Sequence, residues 1–291
     1  YMLGFGFSLG LQVIIARRNG EQWYAETGKT FFQGLFFLLI LAVLLCMLSK
    51  IFSPVLLKHL ITSDDVYNAV IRYLDWRIWG LLFSFPFLAL RSFLVGITQT
   101  KALNMAAFTA VLVNIPLNWL LIFGFDMGIS GAAIASSSAE MCSLAVLAAY
   151  MFRHIDKKAY GLYWRIDITV LKEVFSISVW SMLQFFTSVA IWFLFFVAIE
   201  RLGETELAVS NIVRSVSALF SVIVNALAGV TGSLVSNLIG AGEKKQVFPL
   251  CHKIIRLGYA TGIPLITFAL FFHQHIIGAY TENPAIVQLR S

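Results

Sequence analysis

Residues 102–124 read ALNMAAFTAVLVNIPLNWLLIFG, with no charged side chain. After the turn Phe125-Asp126-Met127-Gly128 the chain resumes with an equally apolar run at 129–152, ISGAAIASSSAEMCSLAVLAAYMF, whose one charge is Glu140. A bilayer core about 30 Å thick is crossed by about 20 residues of α-helix, so each run is long enough to span it. Neither run alternates as a barrel strand would, and both exceed the roughly ten residues that such a strand needs. The pair therefore reads as two membrane helices joined by a tight outer turn.

Working outward, further apolar runs fall near 1–18, 31–50, 70–97, 169–201, 206–240 and 254–272, which makes about eight complete spans. The chain is 59% hydrophobic and 12% charged, with a mean hydropathy of +0.84, where soluble domains average about 45–50% apolar and about 25% charged residues. The fold class is an all-α polytopic membrane protein. Its net charge of +6 does not point to nucleic acid, because the basic residues lie between apolar runs and form no basic face. Cys46, Cys142 and Cys251 have no ligand spacing and read as small core residues. The five histidines, His59, His154, His252, His273 and His275, form no i, i+4 pair, so neither an enzyme, a metal site nor a cofactor is expected.

If Arg17 and Arg18 end the first span inside the cell, the basic residues sort roughly two to one toward the inside, as the positive-inside rule requires. Lys29, Lys101, the Arg153 to Lys172 segment and the Lys244 to Arg256 segment fall inside. Lys50, Lys58, Arg72, Arg77, Arg201 and Arg290 fall outside, and Arg91 and Arg214 remain within spans. This predicts a multi-pass protein of the inner (plasma) membrane. The chain opens and closes within helical-looking sequence, so it reads as part of a longer protein.

A shift of 222 residues places Gly10, Val13, Gly20 and Glu21 on Gly232, Val235, Gly242 and Glu243. A shift of 219 places Thr62-Ser-Asp-Asp on Thr281-Glu-Asn-Pro. The first span falls on the seventh, an even number of crossings, so the repeats run parallel about an axis along the membrane normal.

The segments Arg91-Ser-Phe-Leu-Val-Gly96-Ile-Thr-Gln99-Thr, Asn114-Ile-Pro-Leu-Asn118-Trp and Gly128-Ile-Ser-Gly131-Ala-Ala-Ile-Ala-Ser136, together with Gly232-Ser-Leu-Val-Ser-Asn-Leu-Ile-Gly240-Ala-Gly242-Glu243, resemble the multidrug and toxin extrusion (MATE) family. The resemblance implies two parallel-repeat lobes of six helices, twelve in all, of which this chain carries helices two to nine. It places N-lobe helices at 1–152, a cytoplasmic inter-lobe linker at 153–168 and part of the C-lobe at 169–291. It also implies cation-coupled (H⁺ or Na⁺) antiport of cationic or amphipathic small molecules by a monomer. A lipid-linked oligosaccharide flippase of the same superfamily is the alternative.

The resemblance puts a cation site at Asn114, Asn118 and Ser136. From the residues themselves, Asn114 and Asn118 share a helix face, and Pro116 between them removes a backbone donor. Glu140 lies one turn beyond Ser136. At 1.5 Å per residue, Asn118 should be level with Ser136, and Asn114 with Glu140. A mid-span carboxylate is costly unless paired or protonated, so Glu140 is expected to titrate with this group. Ser181, Gln184 and Ser188 on the sixth span face a polar stripe of Asn211, Arg214, Ser215 and Asn225 on the seventh. Both stripes are expected to line a substrate cavity. Arg91 is expected to snorkel to the inner interface.

Overall fold

The computed structural model describes residues 1–271 except 62, 164, 165, 201 and 202. Eight helical rods follow one another. They are α1 (Met2–Gly20), α2 (Tyr24–Leu60), α3 (Asp64–Arg77) running through a 3₁₀ turn at Ile78–Gly80 into α4 (Leu81–Gly96), and α5 (Lys101–Trp119) continued by a π turn at Leu120–Gly124. After them come α6 (Gly128–His154), α7 (Ile168–Glu200), α8 (Glu204–Gly240) and α9 (Val247–Phe271). No strand occurs among the described residues. Six rods are long and apolar enough to cross a membrane: α2, α3 with α4, α5 with its π turn, α6, α7 and α8. The protein is a multi-pass membrane protein with the expected all-helical fold.

Helix ends differ from the hydropathy reading for a physical reason. Charge ends an apolar run, whereas backbone hydrogen bonding does not stop there. α2 extends past Lys29 and Lys50 to 37 residues, about 55 Å at 1.5 Å per residue. The third rod starts at Asp64 rather than near 70, because Ser63 accepts a hydrogen bond from the Val66 N–H at 3.5 Å and Asp64 and Asp65 lie in the first turn, where carboxylates favour the helix dipole.

α1 is the hub. It packs against α2, α4, α7 and α8, and Phe7, Leu11, Ile15 and Ala16 are wholly buried among Phe31, Phe85, Leu88 and Phe93. A helix surrounded by protein rather than lipid can carry glycines and polar groups. In α1, Gly4, Gly6 and Gly10 meet Phe85, Met182 and Ser178 at distances that leave no room for a methyl group. Small residues at such crossings let backbones approach, which supplies much of the association energy between membrane helices. α1 and α4 run parallel: Gly4 lies on Phe85, the Ser92 hydroxyl donates to Ser8 O at 2.6 Å, and Gly96 lies on Ile15.

The repeat is visible in the backbone. At the end of α1, Glu21, Gln22 and Trp23 N–H donate to Arg17, Asn19 and Arg18 carbonyls. At the end of α8, Ala241, Gly242 and Glu243 donate to Asn237, Ile239 and Leu238. The second set lies 220 residues after the first, and the left-handed residue is Gln22 (φ 61°) in one and Gly242 (φ 78°) in the other. The register is thus 220, not the 222 of the sequence match. That match had aligned Gly20 with Gly242 on residue identity, whereas the capping geometry aligns Gln22 with Gly242. The second match, at Thr62 and Thr281, lies outside the described residues.

The two ends meet reciprocally. Gly20 lies against the Asn237 carbonyl, and Gly240 against the Arg17 carbonyl. Around them the Asn19 amide donates to Asn237 Oδ1 at 2.8 Å, Asn237 to Gly96 O at 2.8 Å, and the Ser233 hydroxyl to Val95 O at 2.9 Å. The same end gathers Arg18 with Glu173 (2.7 Å) and Lys29 with Asp167 (2.7 Å). Tyr160 of the 155–167 loop also lies there, against Tyr24 and Asn19.

Candidate transport cavity

α5 and α6 form a hairpin whose turn is set by left-handed Asp126 and Gly128 and by Gly131 packed on the backbone of Leu121. Along it, the Asn118 amide donates to Asn114 Oδ1 at 3.0 Å, and the Asn114 amide donates to Ser136 Oγ at 3.5 Å. The expected level is therefore shifted by one turn, since Asn114, not Asn118, is opposite Ser136. The π turn at Leu120–Gly124 fits an extra residue into its turn, so Asn114 lies nearer the hairpin end than uniform α-helix would place it.

Asn114, Ser136 and Glu140 line one cavity of about 550 Å³, together with Tyr1, Arg77, Ser84 and Ser143. Asn118 is not among its lining residues and reaches it only through Asn114. Glu140 is not a lone carboxylate. Arg77 Nη1 donates to Oε2 at 2.9 Å and Nη2 to Oε1 at 2.6 Å, with side chains 30% and 28% exposed. Such two-point pairing fixes geometry as well as charge.

Sequence reasoning had put Arg77 at the outer helix end. The rod runs unbroken from Asp64 to Gly96, which puts Arg77 thirteen residues, about 20 Å, from its start. The signal was present in Ser63-Asp64-Asp65, a helix cap that hydropathy passes over. Gly80 makes room for the pair: a methyl group there would run into Arg77 Nη1 and come within 2.8 Å of Glu140 Oε2.

Arg91 does not snorkel inward. Its guanidinium lies 5.6 Å over the ring of Phe5, well back along α1 from Gly20, and its Nη1 is buried without a hydrogen-bond partner. Helical side chains lean toward the helix N-terminus, which on α4 is away from the Gly96 end.

The α7 and α8 stripes are only partly brought together. Ser188 donates to Gln184 O of its own helix at 2.9 Å; Ser181 is half-buried, and Gln184, Ser188 and Asn225 are exposed. On α8, Arg214 donates to Asn211 Oδ1 at 3.4 Å and Ser215 to Asn211 O at 2.9 Å. Arg214 bridges to α7 only through the Phe196 face, 5.2 Å away.

Residues 1–120 and 181–291 match the model of the MatE family. The chain belongs to the MatE family. Among curated relatives it is 25% identical over 297 residues to the probable multidrug resistance protein NorM of Shewanella oneidensis, covering 98% of this chain and 63% of that protein. It is 23% identical over 299 residues to the multidrug resistance protein NorM of Vibrio cholerae, covering 99% and 64%. This MatE chain thus spans a little under two thirds of the length of these relatives. The fold matches a structure described as the outward-facing conformation of a multidrug resistance MATE family transporter of the MOP superfamily, with a TM-score of 0.87, 19% identity and coverage of 99% and 66%. Asn114, Asn118 and Arg77 lie in the matched segments, whereas Ser136 and Glu140 lie in the stretch between them.

Proposed function

We propose that the full-length protein exports amphipathic, cationic small molecules by alternating access, in exchange for H⁺ or Na⁺, as a monomer in the inner membrane. In this reading residues 1–152 belong to the N-lobe, 153–168 to a cytoplasmic linker and 169–291 to the C-lobe. The Gly20 end, with its excess of Arg and Lys, faces the cytoplasm. The carrying observation is the Asn118–Asn114–Ser136 hydrogen-bond chain on the wall of a cavity of about 550 Å³, set half a membrane away from a closed crossing of α1 and α8. Neutral oxygens beside a carboxylate are ligands for a hard monovalent cation or a proton relay. A parallel repeat whose ends meet at one side supports rocking of one half against the other. The relatives' names as multidrug resistance proteins support a small-molecule substrate.

A flippase for lipid-linked oligosaccharides is the second reading. It is favoured by the unpartnered Arg91 Nη1 and by exposed Arg214, which suit an anionic substrate. Proteoliposomes carrying the full-length protein decide between them. Under the first reading, an imposed Na⁺ or pH gradient drives efflux of a cationic dye, and Asn114→Ala abolishes the drive while dye still binds. Gradient-independent dye retention across several dyes would remove the exporter reading.

A further inference from the structure

Glu140 is the carboxylate of the N-lobe cavity, and both of its oxygens are taken by Arg77. The guanidinium carries the same charge as the cation that the proposed exporter binds. We propose that Arg77 is the resident cation of this cavity, which a small monovalent cation must displace from Glu140 in order to bind.

Four features support an exchange rather than a permanent brace. The pair lines the cavity and is about a third exposed, so a cation in the cavity reaches the carboxylate without unpacking the core. Gly80 leaves the space that the pair occupies, with Glu140 Oε2 and Ser137 Oγ both within 3 Å of where a side-chain carbon would stand. Arg77 has another neighbour to turn to, since Tyr73 stands one turn earlier on α3 and offers its hydroxyl. Finally, Asn114 Oδ1 and Ser136 Oγ lie on the same wall as Glu140, so a displacing cation would find neutral oxygens as well as the released carboxylate. Charge is conserved in the exchange: the cavity gains one positive charge as the cation enters and Arg77 withdraws, which supplies a driving difference between loaded and unloaded states. A ligand shifts a conformational equilibrium only by such differential interaction.

The proposal rests on the exporter reading for its cation, and its test separates the two. Sodium affinity is measured on the purified full-length protein by titration calorimetry, with choline chloride holding ionic strength constant, for wild type, Arg77→Gln and Arg77→Gln/Glu140→Gln. Removing the competitor should tighten sodium binding at least tenfold in Arg77→Gln, and the double variant should lose that gain. Unchanged or weaker sodium binding in folded Arg77→Gln overturns the proposal even where gradient-driven dye export persists. Loss of dye export in wild type overturns the exporter reading even where the tenfold gain appears. If Arg77→Gln fails to fold, Arg77→Lys takes its place, because it keeps the charge but not the two-point grip. An intermediate gain supports exchange, and an affinity equal to wild type contradicts it.

Discussion

The α1–α8 crossing and the N-lobe cavity lie in the same bundle and are held together by different physics. At the crossing, glycines allow backbone to touch backbone, and the asparagine and serine bonds run to carbonyls. In the cavity, charge meets charge across α3 and α6, with amide and hydroxyl groups alongside. Contacts of the first kind tolerate no added atoms but carry no charge; contacts of the second kind exchange partners readily. A transporter needs both, a seal that is either shut or open and a site that answers to ligands.

The largest effect should come from breaking the crossing. Gly20→Val or Gly240→Val adds atoms where a neighbouring backbone carbonyl already stands, and overpacking of this kind costs about 1–3 kcal/mol. Thermal unfolding in detergent should show that loss, and each variant should release the two ends from one another. A wild-type melting curve would mean that the ends do not touch in this way.

Next in size is Arg77→Gln, which leaves Glu140 half-buried and unpaired. Removing one partner costs more than removing both, so the single variant should be less stable than Arg77→Gln/Glu140→Gln by about 1 kcal/mol, after allowance for the partial exposure of the pair. Equal stabilities would show that the two side chains do not depend on each other.

Asn114→Ala should cost only about 0.6 kcal/mol, the typical worth of one hydrogen bond between membrane helices, while removing gradient-driven export. A large loss of stability with export intact would reassign the Asn114 chain to packing.

The smallest effect belongs to the Gly20 end. Asp167 caps α7, accepting from Thr169 and Val170 N–H. Its carboxyl is held below the usual carboxylate range, first by the hydrogen bond from Lys29 and then by these backbone donors. A depressed folded pKa means that stability is present above the unfolded value of about 3.9 and is lost as pH falls through the folded one. Below about pH 4 the wild type should therefore converge on Asp167→Asn, and above it the wild type should be the more stable. Parallel pH profiles would remove Asp167 from the account.

Hydropathy made the rods legible because a bilayer leaves a chain few choices. It placed Asn114, Asn118 and Ser136 near one another because a short turn fixes the hairpin. It misplaced the level of Asn114, since a π turn carries no hydropathy signature, and it misplaced Arg77, since the Ser63 cap marks a helix start that an apolar window ignores. Arg91 was read as a charge seeking the nearest water, whereas the direction of its side chain and the ring of Phe5 set its course. The repeat was found two residues out of register because residue identity is a weaker guide than the hydrogen bonds that end a helix.

The central claim is that the Asn19–Asn237 crossing must open for transport. The most direct measurement links Asn19→Cys to Asn237→Cys in the full-length protein, whose native side chains are 2.8 Å apart, and follows dye export from proteoliposomes before and after the link is reduced. The account predicts that the oxidised protein binds dye but exports none, and that reduction restores the rate. Export by the cross-linked protein at the reduced rate would contradict it.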